Sequence, residues 1–298
     1  MTVICWNVRG WGKEGRRADV FDLIKHEKAD MCGLVETKVA ESNNRFIKRS
    51  LPKEWDWIGN ADSNQRHRII VGWAKDSWRV QILLVDPQII SLQCVNTKLN
   101  KEIFFSFVYG KNRETERCLL WNLLETSGNM LNSRAAPWMV IGDFNTVRSL
   151  YEKIGGNRAN MAWLDRFNSC LQNSGLVDLN TKGAHLTWTN RQQGNLRILE
   201  RIDRSLVNNA WLQAFPSSWT ECLSTRSSDH SPLVARWEHE VNWGPKPFKH
   251  FNFWARKEGY RESVSVAWAD SDSILGTPQF IVAEIGRASC RERVCLYV

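Results

Sequence analysis

The sequence predicts an α/β fold in which two mixed β-sheets pack together and are flanked by helices. Two observations predict it. Short apolar runs of strand length recur with turn residues between them, about ten residues apart. Helical patterns interrupt these runs near the start and near the middle, so one set of strands and helices is followed by a second. The 298 residues, 43% hydrophobic and 24% charged, make a globular chain rather than a disordered one. No apolar stretch approaches the roughly twenty residues that cross a bilayer, so no membrane is expected as a partner.

The elements follow in order. Residues 2–8 read as a buried strand. Residues 16–28 carry Val20, Phe21, Leu23 and Ile24 on one side of an amphipathic helix. Residues 30–35 form a second buried strand, so the opening is β-α-β. Five strand-like runs follow (55–60, 69–74, 79–85, 88–95 and 102–110), spaced as hairpins. Residues 113–131 make the clearest helix, with Leu119, Leu120, Leu123 and Leu124 spaced for one face. Residues 137–145 are a strand ending in an acidic loop. A helix over 160–174 is closed by Gly175 at its C-cap. Beyond it, 176–180, 185–190, 196–207, 218–224 and 231–237 alternate strand with loop. No repeat of solenoid period is present.

The eight cysteines are scattered without a CxxC pair, which favours reduced, structural thiols. The net charge of +8 favours a polyanionic partner without specifying one. Sixteen tryptophans against four tyrosines are expected mostly in the core, with one or two able to serve as base-stacking platforms. The first residues lack the apolar core of a secretory signal, so the chain is expected to be intracellular. We expect a main domain over 1–237 and an extension over 238–283 with a strand-like segment and a short helix. The tail over 284–298 begins EIGRASCRERV, which back-translates to a common short-read sequencing adapter. It is read as an assembly artefact or a disordered tail.

Polar residues close the apolar runs. The first strand ends on Asn7, the second on Glu36, and the run over 102–110 on Tyr109. The run over 137–145 delivers Asp143 and Asn145, that over 196–207 delivers Asp203, and SSDHSPLVARW delivers Asp229 and His230. Each has a plain structural alternative. Glu36 can pair with Lys38, Asp143 can form an Asx-turn, and Asp203 can pair with Arg201 or Arg204. Gathered on one rim, however, they form an oxygen-rich set suited to a hard cation such as magnesium, with further donors for a phosphate.

WNVRG, LVETK, FVYG, IGDFN, RIDR and SSDHSPL, in that order, resemble the endonuclease/exonuclease/phosphatase superfamily. LNTKGAHLTWTN, RIDRSLVNNAW and PFKHFNFW narrow the resemblance to the apurinic-type endonuclease domain of plant non-LTR (LINE-type) retrotransposons. It spans about residues 1–270. The resemblance implies a DNase I-like four-layer α/β/β/α sandwich and a Mg2+-dependent enzyme, with Mn2+ a possible substitute, that nicks DNA. It puts the metal on Glu36, with Asn7 beside it. Asp143 falls where the family orients the attacking water, and Asn145 and Tyr109 fall where it contacts phosphate. Asp203 falls on the acidic residue of an RIDY-like strand. Asp229 and His230 fall on the terminal Asp-His pair, where we expect Asp229 to orient the imidazole. Candidate DNA contacts are Arg66, Arg68, Lys111, Arg113, Thr187 and Arg197, with Arg66 and Arg68 in a basic loop whose His67 is solvated. The partner is then DNA and the site of action nuclear. No obligate protein partner is evident, and the reverse transcriptase of a parent element is absent from this chain. Two alternatives remain open: a phosphomonoesterase or phospholipid phosphodiesterase of the same superfamily, and a non-catalytic nucleic-acid-binding remnant.

Overall fold

The computed structural model describes residues 1–12, 14–61 and 65–237, together with Tyr260, Glu262 and Ser265. The chain divides into two compact units, Met1–Glu240 and Val241–Val298. Those three last residues are helical. The rest of the expected extension over 238–283, and the tail over 284–298, lie outside the described residues.

The first unit opens with β1 (Thr2–Asn7), α1 (Glu14–His26), β2 (Met31–Ala40) and α2 (Asn44–Ser50). A run of strands follows: β3 (Trp55–Ala61), β4 (Arg66–Ala74), β5 (Trp78–Asp86), β6 (Ile89–Asn96) and β7 (Lys101–Tyr109). Next come α3 (Glu114–Ser133), β8 (Trp138–Asp143), β9 (Lys153–Ile154) and α4 (Met161–Ser174). The unit finishes with β10 (Leu176–Asp178), β11 (Thr181–Gly183), β12 (Trp188–Thr189), β13 (Leu199–Glu200), β14 (Asp203–Asn208), α5 (Asn209–Ala214), β15 (Trp219–Cys222) and β16 (Leu233–Arg236). One sheet runs β11-β15-β16-β1-β2-β4-β3, the second β10-β14-β8-β7-β6-β5, and a small third β12-β13-β9.

The period of two along each strand sorts side chains into layers. Val3 and Cys5 of β1, Phe105 and Phe107 of β7, and Met139 and Ile141 of β8 fill the core between the two large sheets. Their neighbours Ile4 and Trp6 instead pack with Val20, Leu23 and Ile24 of α1. On the other side, Phe104 and Val140 pack with Leu120, Trp121 and Leu124 of α3 and with Phe167 of α4. Helices, sheet, sheet, helices: the expected four-layer α/β/β/α sandwich with two mixed β-sheets is what forms. The sheets approach closely at Gly33, where a Cβ would stand 2.1 Å from the ring of Phe107.

Several local expectations are corrected. Leu119 is 67% exposed, because the face that α3 buries is set by Arg117, Leu120, Trp121, Leu124, Gly128 and Leu131. Phe21 of α1 is likewise exposed. The run over 196–207 is not one strand. β13 pairs with β9 and β12, whereas β14 pairs with β8 and β10. The segment 66–68 belongs to β4 rather than to a loop, and His67 is buried there, its Nε2 3.2 Å from the Asn44 amide oxygen. Gly175 ends α4 as expected, left-handed at φ 66° and donating to the carbonyls of Leu171 and Gln172.

A buried ion cluster ties the small sheet to the large one. Arg204 of β14, on the strand face opposite Asp203, pairs with Glu152 and with Asp178, 3.1 Å away. Arg148 and Arg201 also reach Asp178. Burial opposes ionisation of Asp178, yet Arg204, Arg148 and Arg201 together hold its carboxyl below the ordinary range. A depressed carboxylate adds stability above its unfolded pKa of about 3.9, and loses it as pH falls through the folded value. Asp178→Asn should therefore lower Tm at pH 7, and the difference from wild type should shrink as acid is added below about pH 4. Thermal melts of both proteins from pH 3 to pH 7 test this; a pH-independent difference would assign the loss to packing alone.

Candidate active site

The inward-facing positions that hold the inter-sheet core continue to the strand ends, and there they turn polar. Val3 and Cys5 of β1 lead to Asn7. Phe105 and Phe107 of β7 lead to Tyr109, and Met139 and Ile141 of β8 to Asp143. On β14, Val207 and Ser205 lead back to Asp203. Because β7 and β8 run parallel, Tyr109 and Asp143 stand side by side. Because β14 runs antiparallel to β8, Asp203 lies directly opposite Asp143.

Glu36 arrives by a different device. The β2–β4 register slips between Val35 and Val39, and within that bulge Glu36 (φ 53°) and Lys38 (φ 56°) take left-handed backbone. Arg9 (φ 45°) and Asn145 (φ 50°) do the same. Such conformations cost energy for residues with a Cβ and gather where surrounding structure fixes a functional geometry. Gly142, φ 153°, lies so close to β7 that a Cβ would sit 2.1 Å from the Val108 carbonyl oxygen.

The side chains form one network. The Asn7 amide donates to Asp143 Oδ2 at 2.8 Å and to Glu36 Oε2 at 3.1 Å, joining the two carboxylates. Its oxygen accepts the Arg9 backbone N–H. Asp143 Oδ1 accepts the Asn145 backbone N–H at 2.8 Å, so the Asx-turn exists and also aims the carboxylate. Asn145 donates one amide N–H to the Gly110 carbonyl at 2.6 Å, and its second N–H remains for the cleft it lines. Glu36 does pair with Lys38, 2.6 Å away, and meets Arg9 at 3.5 Å. The alternative for Asp203 fails, because Arg201 and Arg204 point to Asp178 and Glu152 instead.

His230 stands between two acids. Its Nδ1 is 3.0 Å from Asp203 Oδ2, and its Nε2 faces Asp143 Oδ2 at 3.9 Å. The orienting carboxylate is therefore Asp203, not Asp229, which is the sequence neighbour but faces elsewhere. Asp229 accepts from Arg9 at 2.7 Å and from the Trp188 indole at 3.1 Å. Thr187, expected to contact DNA, is 2% exposed; its hydroxyl donates to Asp203 at 2.7 Å and accepts the Asp203 N–H. The backbone is equally tied down: Trp6 Nε1 donates to the His230 carbonyl, and Ser228 Oγ to that of Asn7.

Charge follows from this packing. Burial first, then Asp203, pushes the Asp143 carboxyl well above its usual range, with His230, Asn7 and Asn145 opposing. Burial alone would lower His230, but Asp203, Asp143 and Asp229 push it up to about 9, so it is an imidazolium at neutral pH. Burial and the charges of Glu36 and Asp143 raise the Tyr109 phenol, which stays protonated. Asp229 is opposed by burial yet held low by His230 and Arg9.

Asp143, Asp203 and His230 are close enough together to hold a metal ion. Two like charges face each other across adjacent strands, an arrangement that is unfavourable without a cation. The cleft above them is about 190 Å3 and includes Arg9, Glu36, Asn145, Trp188 and Glu200. Beside it, Arg68, Lys111 and Arg113 surround Tyr109 in a second cleft of about 220 Å3. Three of the six candidate DNA contacts are thus brought together. Arg66 and Arg197 do not line these clefts. Arg9 and Asn112 were missed from sequence; Arg9 sits inside WNVRG, whereas nothing in the sequence singles out Asn112.

An Asp203→Asn substitution should move the His230 pKa from about 9 toward its ordinary value near 6.5 in metal-free protein, and Asp229→Asn should move it less. Titrating the His230 ring by NMR measures both; equal shifts would return the orienting role to Asp229.

The model for the Endonuclease/Exonuclease/phosphatase family matches residues 4–230. No curated protein matches the chain by sequence. Among solved structures, the endonuclease domain of TRAS1, a telomere-specific non-LTR retrotransposon, is 16% identical with a TM-score of 0.60, over 80% of this chain and 99% of that one. AP endonuclease LMAP from Leishmania major is 14% identical with a TM-score of 0.65, over 80% and 87%. A mannosyl-6-phosphatase from Bacteroides thetaiotaomicron is 16% identical with a TM-score of 0.53, over 79% and 98%. At these identities the likeness is one of fold.

Proposed function

The chain belongs to the endonuclease/exonuclease/phosphatase family, whose members hydrolyse phosphodiester or phosphate ester bonds, and from that premise we propose that it is a Mg2+-dependent endonuclease that nicks DNA, derived from a retrotransposon. One observation supports a polymer over a small phosphate ester. The catalytic cleft is open and adjoins, through Asn112, the basic cleft of Arg68, Lys111 and Arg113. A polyanion that continues past the scissile phosphate meets positive charge there; a small monoester would leave that cleft unused. The likeness to an AP endonuclease and to a retrotransposon endonuclease domain points the same way.

The residues divide the chemistry. Asp143, with its raised pKa, accepts the proton of the attacking water. His230, held charged by Asp203, donates to a non-bridging phosphate oxygen through Nε2, as do Tyr109 and the second N–H of Asn145. Glu36, with Asn7 beside it, would hold the magnesium ion: the donors are hard oxygens, which Mg2+ and Mn2+ share. When bound, the ion offsets negative charge on the leaving oxygen. Arg9 and Lys38 pair with the Glu36 carboxylate where it lines the cleft.

Supercoiled plasmid should be relaxed to the nicked circle with Mg2+ and remain intact with EDTA. Asp143→Ala and His230→Gln should each slow nicking by about 100-fold or more. Either variant cutting at the wild-type rate would overturn the assignment. Release of phosphate from inositol phosphates, with no plasmid nicking, would favour the phosphomonoesterase alternative. A folded protein active on neither would leave a nucleic-acid-binding remnant.

A further inference from the structure

β5 is the edge of its sheet: among the described residues it pairs with β6 alone. An edge strand offers its outward N–H and C=O groups to any chain that can lie alongside. This one also carries apolar surface, with Ile82, Leu83 and Val85 exposed by 45%, 41% and 45%. Contiguous apolar exposure of this kind marks a contact surface. We infer that β5 pairs antiparallel with β5 of a second copy of this chain, about a two-fold axis between Ile82 and Leu83.

Register and charge together select a second copy as the occupant. An axis at that point sets Arg79 opposite Asp86, Val80 opposite Val85 and Gln81 opposite Leu84. Residues opposite each other in an antiparallel pair must point to the same face. In an unbroken strand these pairs would fail, because their odd spacing sends the two members to opposite faces. The β5–β6 register slips between Ile82 and Leu84, so a bulge reverses the alternation at the axis. Val80 packs against the core between the sheets, and beyond the bulge Val85 stands opposite Ile90 of that same core. Leu84 packs on the α3 side, as does Ile89, the partner of Asp86. Arg79 and Gln81, alternating with Trp78 and Val80, point to that side too. All three pairs therefore match in face. The valines meet toward the inter-sheet core, and each end closes on opposite charges, twice by symmetry. Arg79 is exposed, and Asp86 Oδ1 accepts the Gln88 N–H, which leaves Oδ2 for the guanidinium. No residue of β5 lines either cleft of the candidate site, so the pairing stands apart from the endonuclease reading.

Sedimentation velocity of the full chain from ~1 to ~300 µM should show a reversible dimer with a Kd of about 10–100 µM, the weak range that a single strand pair supports. Leu83→Lys sets two ammonium groups at the axis and should leave a monomer throughout, folded by circular dichroism. Arg79→Glu alone places acid against Asp86, and Asp86→Arg alone places base against Arg79; each should raise Kd by about tenfold. An equimolar mixture of those two variants should return to the wild-type Kd, because both cross-pairs are then opposite in sign. If Asp86→Arg does not fold, Leu83→Lys and Arg79→Glu decide. A wild-type monomer at ~300 µM would overturn the proposal and leave the edge bare or open to a different partner. A dimer indifferent to Leu83→Lys would place the contact elsewhere, and a mixture that stays dissociated would break the register. Plasmid nicking per chain should be the same in Leu83→Lys as in wild type, so the dimer and the endonuclease reading fail separately.

Discussion

Two buried carboxylates placed directly opposite each other on adjacent strands, Asp143 and Asp203, are the constraint around which the rest of the site is arranged. Like charges in that position repel, and burial deepens the penalty. The fold answers with one imidazolium and a set of donors. His230 lies between the acids, Asn7 donates to Asp143, and Thr187 donates to Asp203. The residual cost is visible in the raised Asp143 carboxyl. A site that holds negative charge against its own electrostatics is one prepared for a proton or a cation, and water activation uses both.

The large sheets alone would not complete this site. Glu36 enters from a bulge, Asn145 from a left-handed turn, and Asp229 and His230 from the loop before β16. These strained and irregular positions are held by partners distant in sequence: Trp6 bonds the His230 carbonyl and Arg9 the Asp229 carboxylate. The small sheet makes one wall. Thr189 N–H donates to the Asp229 carbonyl and Ser231 N–H to that of Thr187, while Glu152 and Arg204 tie β9 to β14. A buried ion pair outside the cleft thus helps hold the small sheet that carries Trp188.

The layered fold was legible because strand periodicity is local. The same alternation that marks Phe105 and Phe107 as inward marks Tyr109 as the next inward residue, and Met139 and Ile141 do so for Asp143. What remained hidden depends on pairing between strands far apart in the chain. That Asp203 rather than Asp229 orients His230 follows from β14 lying antiparallel to β8, a register no run of residues encodes by itself. Adjacency in sequence favoured Asp229; in space, Arg9 and Trp188 hold it. Thr187 reads as a surface polar residue until β12 is placed against β13 and its hydroxyl turns to Asp203. Leu119 belongs to an apolar run of α3 whose buried face is fixed by Trp121 and Leu124 instead.

The opposing charges also explain why Arg9 matters although it is not a carboxylate neighbour in sequence. It reaches Glu36 and Asp229 at once, bridging the bulge of β2 and the loop before β16. Both acids lie outside the Asp143–Asp203–His230 group, and Arg9 places positive charge between them. Arg9 and Lys38 therefore provide, from the protein itself, part of the positive charge that a hard cation would supply more compactly. On the proposed reading, a cation at Glu36 would compete with both side chains for the carboxylate.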